Sequence, residues 1–323
     1  MSTLDSETFD RHFANLSANI SDFIRGKPEV VRLALVCLFA QGHLLIEDVP
    51  GVAKTSLAKA LAKSVSGATV KRIQFTPDLL PSDVVGVQTY DQSAHTFEFF
   101  EGPVFANIVI GDEINRASPK TQSALLEVMA ERQVTVDGRP RPVPAPFLCI
   151  ATQNPIEHHG TYALPEAQLD RFMMRIKVGY PPGVDDEVDI IADGVARRAP
   201  EELGSVMTLD DLRDMIELVR SVHIEREVQR YVAVITRETR KHASVRLGIS
   251  PRGSIAVAAA AQAHAAVLGR SFVTPEDVRV VAKPVLNHRL LLTPEARVRK
   301  QTAEDVLDEI LVSAPVPRPS KWG

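Results

Sequence analysis

Hydrophobic positions in the first half of the chain form helical stripes separated by short continuous apolar runs. Apolar residues recur every three or four positions from Phe9 to Ile24, and a second apolar segment covers Glu29 to Gln41, so both are predicted to be helices. Short apolar runs with β-branched residues predict buried strands. The predicted strands are a run that starts at His43 and breaks at Pro50-Gly51, and the segments Ala68–Phe75, Ala106–Glu113, Phe147–Asn154 and Met173–Val178.

Further helical patterns lie between these strands. They cover Lys54–Ser64 and Ser118–Arg132, and a shorter helix is predicted to begin near Leu164. Strands that alternate with helices in this way are typical of an α/β fold with a parallel sheet. We therefore expect a parallel-sheet core flanked by helices.

The pattern changes at the Tyr180-Pro-Pro-Gly183 segment. Beyond it no strand alternation recurs, and the helix starts at Thr208–Asp211 and Thr274–Asp277 resemble capping boxes. An alanine-rich helix, Ile255–Leu268, must pack closely because its side chains are small. The predicted divisions are an N-terminal helix at 1–25, an α/β domain at 26–182, an all-helical domain at 183–313 and a proline-rich disordered tail at 314–323.

Two shorter segments interrupt the α/β pattern. Gln133–Val136 and Arg139–Val143 flank an Asp-Gly turn and are predicted to form a hairpin, whose proline-rich second arm must be an edge or an exposed finger. The segment Phe97–Pro103 carries three aromatic residues near a Gly-Pro turn. These aromatics either form a partner-facing or pore-facing patch or pack against the sheet edge, and the sequence leaves both interpretations open.

A phosphate-binding loop is predicted where the first strand turns into a helix. Backbone N–H groups at a helix N-terminus bind phosphate, while a lysine supplies a mobile charge and a hydroxyl ligates a metal ion. Lys54 and Thr55 have the residue types and positions for the last two roles. The predicted loop residues are Val49, Pro50, Gly51, Val52, Ala53, Lys54, Thr55 and Ser56.

This loop departs from the Gly-x-x-x-x-Gly-Lys-Ser/Thr pattern at two positions. Asp48 and Ala53 occupy the places of the two framing glycines. Ala53 can be tolerated if its backbone is already helical, because a Cβ is costly mainly at positive φ. The Asp48 carboxylate must point away from bound phosphates or meet a cation, since it would otherwise repel them.

Two adjacent acids, Asp112 and Glu113, end the next long apolar run. The carboxyl ends of parallel strands are where ligands bind in open α/β sheets, so both acids are predicted to face a ligand. Asp112 can hold Mg²⁺, and Glu113 can orient or deprotonate the water that attacks a γ-phosphate. An acidic pair that caps the following helix is the alternative for these residues alone, but the upstream phosphate loop favours the functional interpretation.

Asn154 and Arg171 complete the predicted catalytic set. Asn154 ends a predicted strand at the same sheet edge and either holds the attacking water or starts the turn with Pro155. Arg171 either forks onto a γ-phosphate in the transition state or forms a surface ion pair with Asp170 or Glu166.

Two further positions are predicted to lie near the nucleotide. Gly26, in the Ile24–Lys27 segment, is either beside the nucleotide or an ordinary helix C-cap. Arg252 lies in the first turn of a helix, where the dipole does not favour a cation, so a nearby anion or exposure to water accounts for it. We reject a metal site at His158-His159, because a third ligand is lacking nearby.

The composition of the chain excludes some classes of function but does not point to a particular one. The chain has 323 residues, of which 37 are basic and 41 acidic, and its net charge of −4 argues against a general nucleic-acid coating role. Cys37 and Cys149 form neither a disulfide framework nor a zinc pattern. The N-terminus lacks a signal-peptide pattern and no apolar run is long enough to span a membrane, so we expect a cytoplasmic protein.

The ordered motifs resemble those of the MoxR family of AAA+ ATPases, and the resemblance runs from about Asp22 to near Leu311. The motifs are Pro-Gly-x-Ala-Lys-Thr, Asp-Glu-Ile-Asn-Arg, Ala-Thr-Gln-Asn-Pro, Leu-Asp-Arg-Phe and Ser-Pro-Arg. The resemblance implies an AAA+ P-loop fold with a C-terminal helical lid, an insertion within Val84–Phe100, and assembly into a ring, typically a hexamer.

Roles follow from the resemblance residue by residue. Lys54 with Thr55 and Asp112 with Glu113 resemble the two Walker pairs that bind ATP and Mg²⁺, and Asn154 resembles the sensor that positions water. Arg171 resembles an arginine finger acting on the neighbouring subunit, with Arg116 as a second candidate. Arg252 resembles the sensor arginine of the lid.

The resemblance also implies that the protein remodels or matures partner complexes, often ones with a von Willebrand factor A domain, and helps to insert metal cofactors. Three alternatives remain at this point. A magnesium-chelatase-like motor subunit would share the ATPase core, a DNA-dependent motor would be stimulated by DNA, and a non-hydrolysing nucleotide switch would release no phosphate.

Overall fold

The structure is a computed structural model and describes residues 5–93, 95–136, 138–155, 161–197 and 199–317. Its strands, in chain order, are β1 (Leu44–Glu47), β2 (Val65–Ser66), β3 (Val70–Gln74), β4 (Gly86–Asp91), β5 (Thr96–Glu101), β6 (Ile108–Asp112), β7 (Gln133–Val136), β8 (Arg139–Pro142), β9 (Leu148–Gln153), β10 (Met174–Ile176), β11 (Met207–Thr208), β12 (Val245–Leu247) and β13 (Leu291–Leu292).

The α-helices surround these strands and make up most of the second half of the chain. In chain order they are α1 (Ser6–Ser21), α2 (Pro28–Phe39), α3 (Lys54–Lys63), α4 (Pro81–Val85), α5 (Pro119–Glu131), α6 (Glu166–Leu169), α7 (Val184–Val195), α8 (Leu209–Ser221), α9 (Arg226–Thr239), α10 (Pro251–Val267), α11 (Pro275–Leu286), α12 (Pro294–Val298) and α13 (Ala303–Ser313).

A five-stranded parallel sheet in the order β10-β1-β9-β6-β3 forms the centre of the described chain. Four of its strands, β1, β6, β9 and β10, are mostly apolar and buried because both faces of the sheet are covered there, whereas the edge strand β3 is largely exposed. On β6, Ile108 and Ile110 point into one hydrophobic core, while Val109 between them points into the other. The carboxyl ends of β1, β6 and β9 consequently meet at one edge, as the sequence predicts.

The two cores divide the helices between them. The first core joins α1, α2 and α3 to the helices that follow β11, and the second lies between the other sheet face and α5. Helices α8, α9, α11 and α13 begin at polar caps, including the capping boxes of Thr208 with Asp211 and Thr274 with Asp277. The α/β core and C-terminal helical lid expected from the sequence are therefore present.

The structure differs from the sequence analysis in its small strands. Strands β4 and β5 form a β-hairpin, and the chain beyond Gly183 contributes β11, which pairs with β2, and the pair β12–β13. The aromatics of β5 divide between the two interpretations that the sequence leaves open. Phe99 packs against Phe105 and under the guanidinium of Arg141, whereas Phe97 and Phe100 are exposed.

Other sequence-based expectations can be compared only within the described residues. Cys37 and Cys149 are both unbridged and buried, and burial raises the pKa of the Cys149 thiol to about 12. No helix in the described ranges is long and apolar enough to cross a membrane. His158, His159 and the end of the predicted tail, 318–323, lie outside those ranges.

Candidate nucleotide site

The loop between β1 and α3 has the backbone of a phosphate-binding turn. Gly51 has a φ of +84°, which favours glycine, and the Pro50 to Ser56 loop lies at the carboxyl end of β1. Ala53 has a φ of +59° and is left-handed rather than helical. The condition under which an alanine is readily tolerated here is therefore not met, and the chain carries a Cβ where the usual glycine would avoid the strain.

The Asp48 carboxylate turns away from the loop interior. Its two oxygens accept hydrogen bonds from the backbone N–H groups of Val49, at 2.7 Å, and Gly179, at 2.6 Å. The Lys54 ammonium donates to the carbonyl oxygens of Asp48 and Gln153. Asp48 thus ties the start of the loop to the segment after β10, and its carboxylate does not occupy the phosphate position.

Asp112 and Thr55 lie side by side at the carboxyl ends of β6 and β1. The Thr55 hydroxyl donates to Asp112 Oδ1 at 2.8 Å, and the hydroxyl of Thr152 donates to the same oxygen at 3.2 Å. Arg72 Nε donates to Asp112 Oδ2 at 2.6 Å. Asp112 is buried, so these contacts compensate for the desolvation of its charge.

This donor set fits magnesium. Mg²⁺ in nucleotide sites is bound by one or two protein oxygens, with substrate phosphates and water completing the octahedron. Asp112 and Thr55 provide one carboxylate and one hydroxyl in contact with each other. In the part of the chain that the structure describes, no cluster of three or more His, Cys, Asp or Glu side chains forms a self-sufficient metal site.

Glu113 is held in a strained backbone conformation with its carboxylate paired on one oxygen. Its φ is +57°, and its Oε2 accepts from Gln74 Nε2 and from Arg116 Nη1, both at 3.0 Å. Its backbone N–H donates to the Thr152 hydroxyl at 3.0 Å. A left-handed non-glycine residue costs about 1–3 kcal/mol and is common at functional sites.

Asn154 is buried beside these acids, and its backbone carbonyl accepts from the Asn115 side-chain amide at 3.1 Å. The loop, the two acids and Asn154 all line one cavity of about 450 Å³. The lining residues are Pro50, Gly51, Ala53, Lys54, Thr55, Ser56, Arg72, Gln74, Asp112, Glu113, Thr152 and Asn154. Val52 is buried and Val49 is half-buried, and neither lines the cavity.

Arg171 and Arg252 lie elsewhere. Both line a separate cavity of about 260 Å³ with Gln41, Gly42 and His43, at the amino end of β1. From Gly42 to Asp48 an extended chain spans roughly 20 Å, so this cavity and the phosphate loop lie at opposite ends of the sheet. The two arginines therefore cannot touch a nucleotide held by their own subunit's loop in this conformation.

The contacts of these arginines also differ from the alternatives drawn from sequence. Arg171 Nη1 donates to the carbonyl of Leu126 rather than to Asp170 or Glu166. The Asp170 carboxylate instead pairs with Arg289, at 2.6 Å from its Nε, and lies 3.8 Å from Nη1 of Arg252. Gly26, at a φ of +66°, lies against the Asp186 side chain at the start of α7 and lines neither cavity.

Sequence reasoning missed Arg72, Gln74 and Thr152. Arg72 and Gln74 are two residues apart on β3, so their side chains share the sheet face that meets Asp112 and Glu113. Two polar residues at alternate positions near the end of a predicted strand were the available signal. Thr152 is one residue short of the end of β9, and its position before Asn154 gave a similar signal.

A parallel sheet with a phosphate loop, a terminal acid pair and a helical lid defines the AAA class of P-loop ATPases, and family comparisons agree. The model for the ATPase family associated with various cellular activities (AAA) matches residues 43–174, and that for the AAA lid domain matches residues 237–310. A crystal structure of a protein from Cytophaga hutchinsonii superposes with a TM-score of 0.88 at 34% identity, covering 97% of both chains.

Relatives narrow this class to one family. Uncharacterized protein YeaC of Bacillus subtilis is 47% identical over 299 residues, which cover 93% of each chain. Chaperone MoxR1 of Mycobacterium tuberculosis is 42% identical over 308 residues, covering 93% of this chain and 81% of the relative. The chain belongs to the MoxR family of AAA+ ATPases.

Proposed function

We propose that this protein binds and hydrolyses Mg-ATP at the interfaces of a ring of identical subunits and uses the energy to remodel partner proteins. The observation that carries this proposal is the convergence of Lys54, Thr55, Asp112, Glu113 and Asn154 on one cavity. These residues come from the ends of three different strands, and chance packing rarely assembles all the groups that phosphoryl transfer needs.

Each residue in the cavity has a distinct proposed task. Backbone N–H groups of the loop and the Lys54 ammonium bind the phosphates, as in other phosphate loops. Thr55 and Asp112 would hold the magnesium ion, which neutralises phosphate charge when bound. Glu113 orients and deprotonates the attacking water, with Asn154 holding that water in place, and a general base contributes about 10²–10⁴ in rate.

The remaining charge stabilisation is proposed to come from a neighbouring subunit. Arg171 and Arg252 lie at the amino end of β1 and β10, far from their own subunit's phosphate loop. An arginine finger supplied in trans contributes about 10³–10⁵ in rate. Arg116 is paired with Glu113 of its own chain, which makes it the weaker candidate for a trans contact.

The remodelling role rests on family membership and on exposed surface. One relative carries the name chaperone. On this chain the β4–β5 hairpin presents Phe97 and Phe100 to solvent, a surface suited to contact with another protein. We propose that the clients are cytoplasmic proteins, among them proteins with a von Willebrand factor A domain and complexes that receive metal cofactors. DNA is not a proposed partner, because the net charge is −4.

Single-site variants test the ATPase. Glu113→Gln should bind a fluorescent ATP analogue as the parent does while phosphate release falls by about 10²–10⁴. Lys54→Ala should lose nucleotide binding. The controls Glu304→Gln and Lys120→Ala make the same chemical changes at exposed positions and should leave both properties unchanged. Phosphate release by Glu113→Gln equal to that of the parent would remove the proposed base.

Mixing two inactive variants tests the trans contact. Arg171→Ala subunits keep Glu113, and Glu113→Gln subunits keep Arg171, so a mixed ring contains sites with both groups only if Arg171 acts on a neighbour. We expect the mixture to recover part of the phosphate release that each variant alone lacks. If the mixture stays as inactive as its components, Arg171 acts within its own subunit or not at all. Phosphate release that DNA stimulates would favour a DNA motor instead.

A further inference from the structure

Helix α7 has its apolar side turned outward. Val184, Val188, Ile191 and Val195 form one stripe at four-, three- and four-residue spacing, and Val184 and Val195 are 79% and 81% exposed. No residue of α7 is buried. An amphipathic helix on the surface of a monomeric protein normally packs its apolar stripe against the core. The exposed stripe of α7 therefore indicates a binding surface for a partner.

Two acidic residues of the same helix face the body of the protein. Asp186 lies two residues from both Val184 and Val188, about 200° around the helix, and it packs over Gly26. Asp193 has the same relation to Ile191 and Val195, and it pairs with Arg25 at 3.2 Å. The helix is therefore attached through its acids, and its valine and isoleucine side chains point away.

The position of α7 ties it to the nucleotide cavity. It begins five residues after Gly179, whose N–H donates to the Asp48 carboxylate directly before the phosphate loop. Its first turn packs on Gly26, and Lys27 donates to the carbonyl of Tyr180 just upstream. The apolar stripe consequently lies on the same end of the sheet as the phosphate loop.

A surface of opposite character lies at the other end of the sheet. The groove that holds Arg171 and Arg252 also contains the 70% exposed Ile255, together with Ala256, Ala259, Met129 and Met173. Four arginines and one aspartate line this groove, the others being Arg132, Arg289 and Asp170. Three acidic residues of helix α7, Asp185, Glu187 and Asp189, are exposed, and the helix has no basic residue. The two surfaces are complementary in both charge and hydrophobicity.

We propose that α7 of one subunit docks into the Ile255 groove of a second copy of this chain. The two surfaces lie at opposite ends of the same strands, so one copy cannot join them to each other. When the same contact is repeated between successive copies, the subunits assemble head-to-tail. Such an assembly closes into a ring if the rotation between neighbours brings the last copy back to the first. The proposal rests on the proposed function in one respect, since it supplies the interface at which the trans arginines act.

This contact completes the nucleotide site. The subunit that supplies α7 also supplies the phosphate loop and Glu113 beside it. The subunit that supplies the groove brings Arg171 and Arg252 to that end of its neighbour. The structure thus assigns the two halves of each site to different copies, and α7 fixes the position of one copy relative to the other.

Two charge insertions test the contact. Ile191→Asp places a charge on the stripe, and Ile255→Asp places one in the groove. Burying an unpaired charge should raise the concentration for half-assembly about thirtyfold or more, measured by light scattering with magnesium and a non-hydrolysable ATP analogue. Val298→Asp makes a similar change at another exposed apolar position, on α12, and should assemble as the parent does. Unchanged assembly of Ile191→Asp overturns the proposal.

A mixture of the two variants gives a sharper result. Ile191→Asp subunits keep an intact groove, and Ile255→Asp subunits keep an intact α7, so the mixture can form one native contact and no ring. We expect each variant alone to be monomeric and the mixture to form dimers. Phosphate release should return in these dimers. Adding Glu113→Gln to the Ile255→Asp chain should abolish it, because that chain supplies α7 and the phosphate loop at the contact. Adding Glu113→Gln to the Ile191→Asp chain should have no effect.

Failure of this interface and failure of the ATPase are distinguishable. If the parent assembles, the variants do not, and no phosphate is ever released, the interface stands and the proposed hydrolysis falls. If the parent releases phosphate while Ile191→Asp assembles normally, the ATPase stands and the interface falls. A parent that remains monomeric with nucleotide also overturns the interface. Thermal unfolding of Ile191→Asp at the parent temperature confirms that the change acts on assembly, because position 191 is exposed.

Discussion

Ala53 introduces backbone strain into the phosphate loop. Its left-handed backbone would suit glycine, and in an L-residue that conformation costs about 1–2 kcal/mol. We expect Ala53→Gly to raise the free energy of unfolding by about 0.5–1 kcal/mol, the strain relief being partly offset by the greater entropy of the unfolded chain. Urea unfolding measures this.

Lys300→Gly is the control for that substitution. Lys300 has a φ of +60° and lies outside the nucleotide cavity, so it should gain similar stability with no change in nucleotide affinity. A loss of stability in Ala53→Gly would show that the alanine methyl group makes a packing contact that outweighs the backbone strain.

His43 makes the amino end of β1 sensitive to acid. Its Nε2 donates to the carbonyl of Met129 and its Nδ1 accepts from the Cys149 N–H, so the ring is neutral, and burial lowers its pKa to about 4. The unfolded chain, with a histidine pKa near 6.5, binds the proton first as the pH falls. Stability is therefore fully present above about pH 6.5 and is lost as the pH falls toward 4.

The expected loss from this residue is about 2 kcal/mol between pH 7 and pH 5. His43→Gln keeps a donor for Met129 but does not titrate. Urea unfolding of both chains at the two pH values isolates the histidine, because the other titrating groups are shared. Equal losses in the two chains would contradict the assignment.

At the scale of elements, Asp48 joins two segments that the sequence separates by more than a hundred residues. Its carboxylate accepts from Val49 in the phosphate loop and from Gly179 after β10. Asp48→Ala leaves these N–H groups without their acceptor, and we expect a stability loss of about 1–3 kcal/mol together with weaker nucleotide binding.

Asp48→Asn provides the matched control, because its amide oxygen still accepts one hydrogen bond and should preserve part of both properties. Urea unfolding and titration with a fluorescent nucleotide measure the two effects. Tighter nucleotide binding by Asp48→Ala would mean that the negative charge acts on the phosphates after all.

Part of the site geometry could be predicted from the sequence, and part could not. Asp112 and Asn154 end apolar runs, and parallel strands bring such ends to one edge, so their meeting was predictable. The φ of Ala53 was not, because it depends on how the loop closes rather than on local preference. The β4–β5 hairpin was missed because its exposed, polar-mixed strands lack the burial that makes core strands apolar.

At the scale of the whole molecule, Arg289 joins the lid to the core. Its buried guanidinium donates to the Asp170 carboxylate at 2.6 Å and to the carbonyls of Phe172 and Met173. It also reaches Val285 in the lid. Sequence could not place it, because the position of the lid depends on contacts far apart in the chain. For the same reason, the sequence did not show that Arg252 lies in a different cavity from its own subunit's phosphate loop.

Removing Arg289 should loosen the lid. Arg289→Met leaves the partly exposed Asp170 and several carbonyls without their donor, so we expect the free energy of unfolding to fall by about 2–4 kcal/mol. Hydrogen exchange should accelerate along α11 and the segment before β10. Arg297→Met, at an exposed position, is the control. Unchanged exchange in α11 would mean that the apolar core alone holds the lid.

The grip of Arg289 on the Asp170–Met173 segment has a mechanical consequence. Arg171 lies within that segment, so the lid cannot swing away from its own core without displacing Arg171. In the ring that we propose, each lid would therefore move together with its own core, and the joints that flex would lie between subunits. A movement that begins at one nucleotide would then pass from subunit to subunit, so a single stiffened interface would also stall its neighbours.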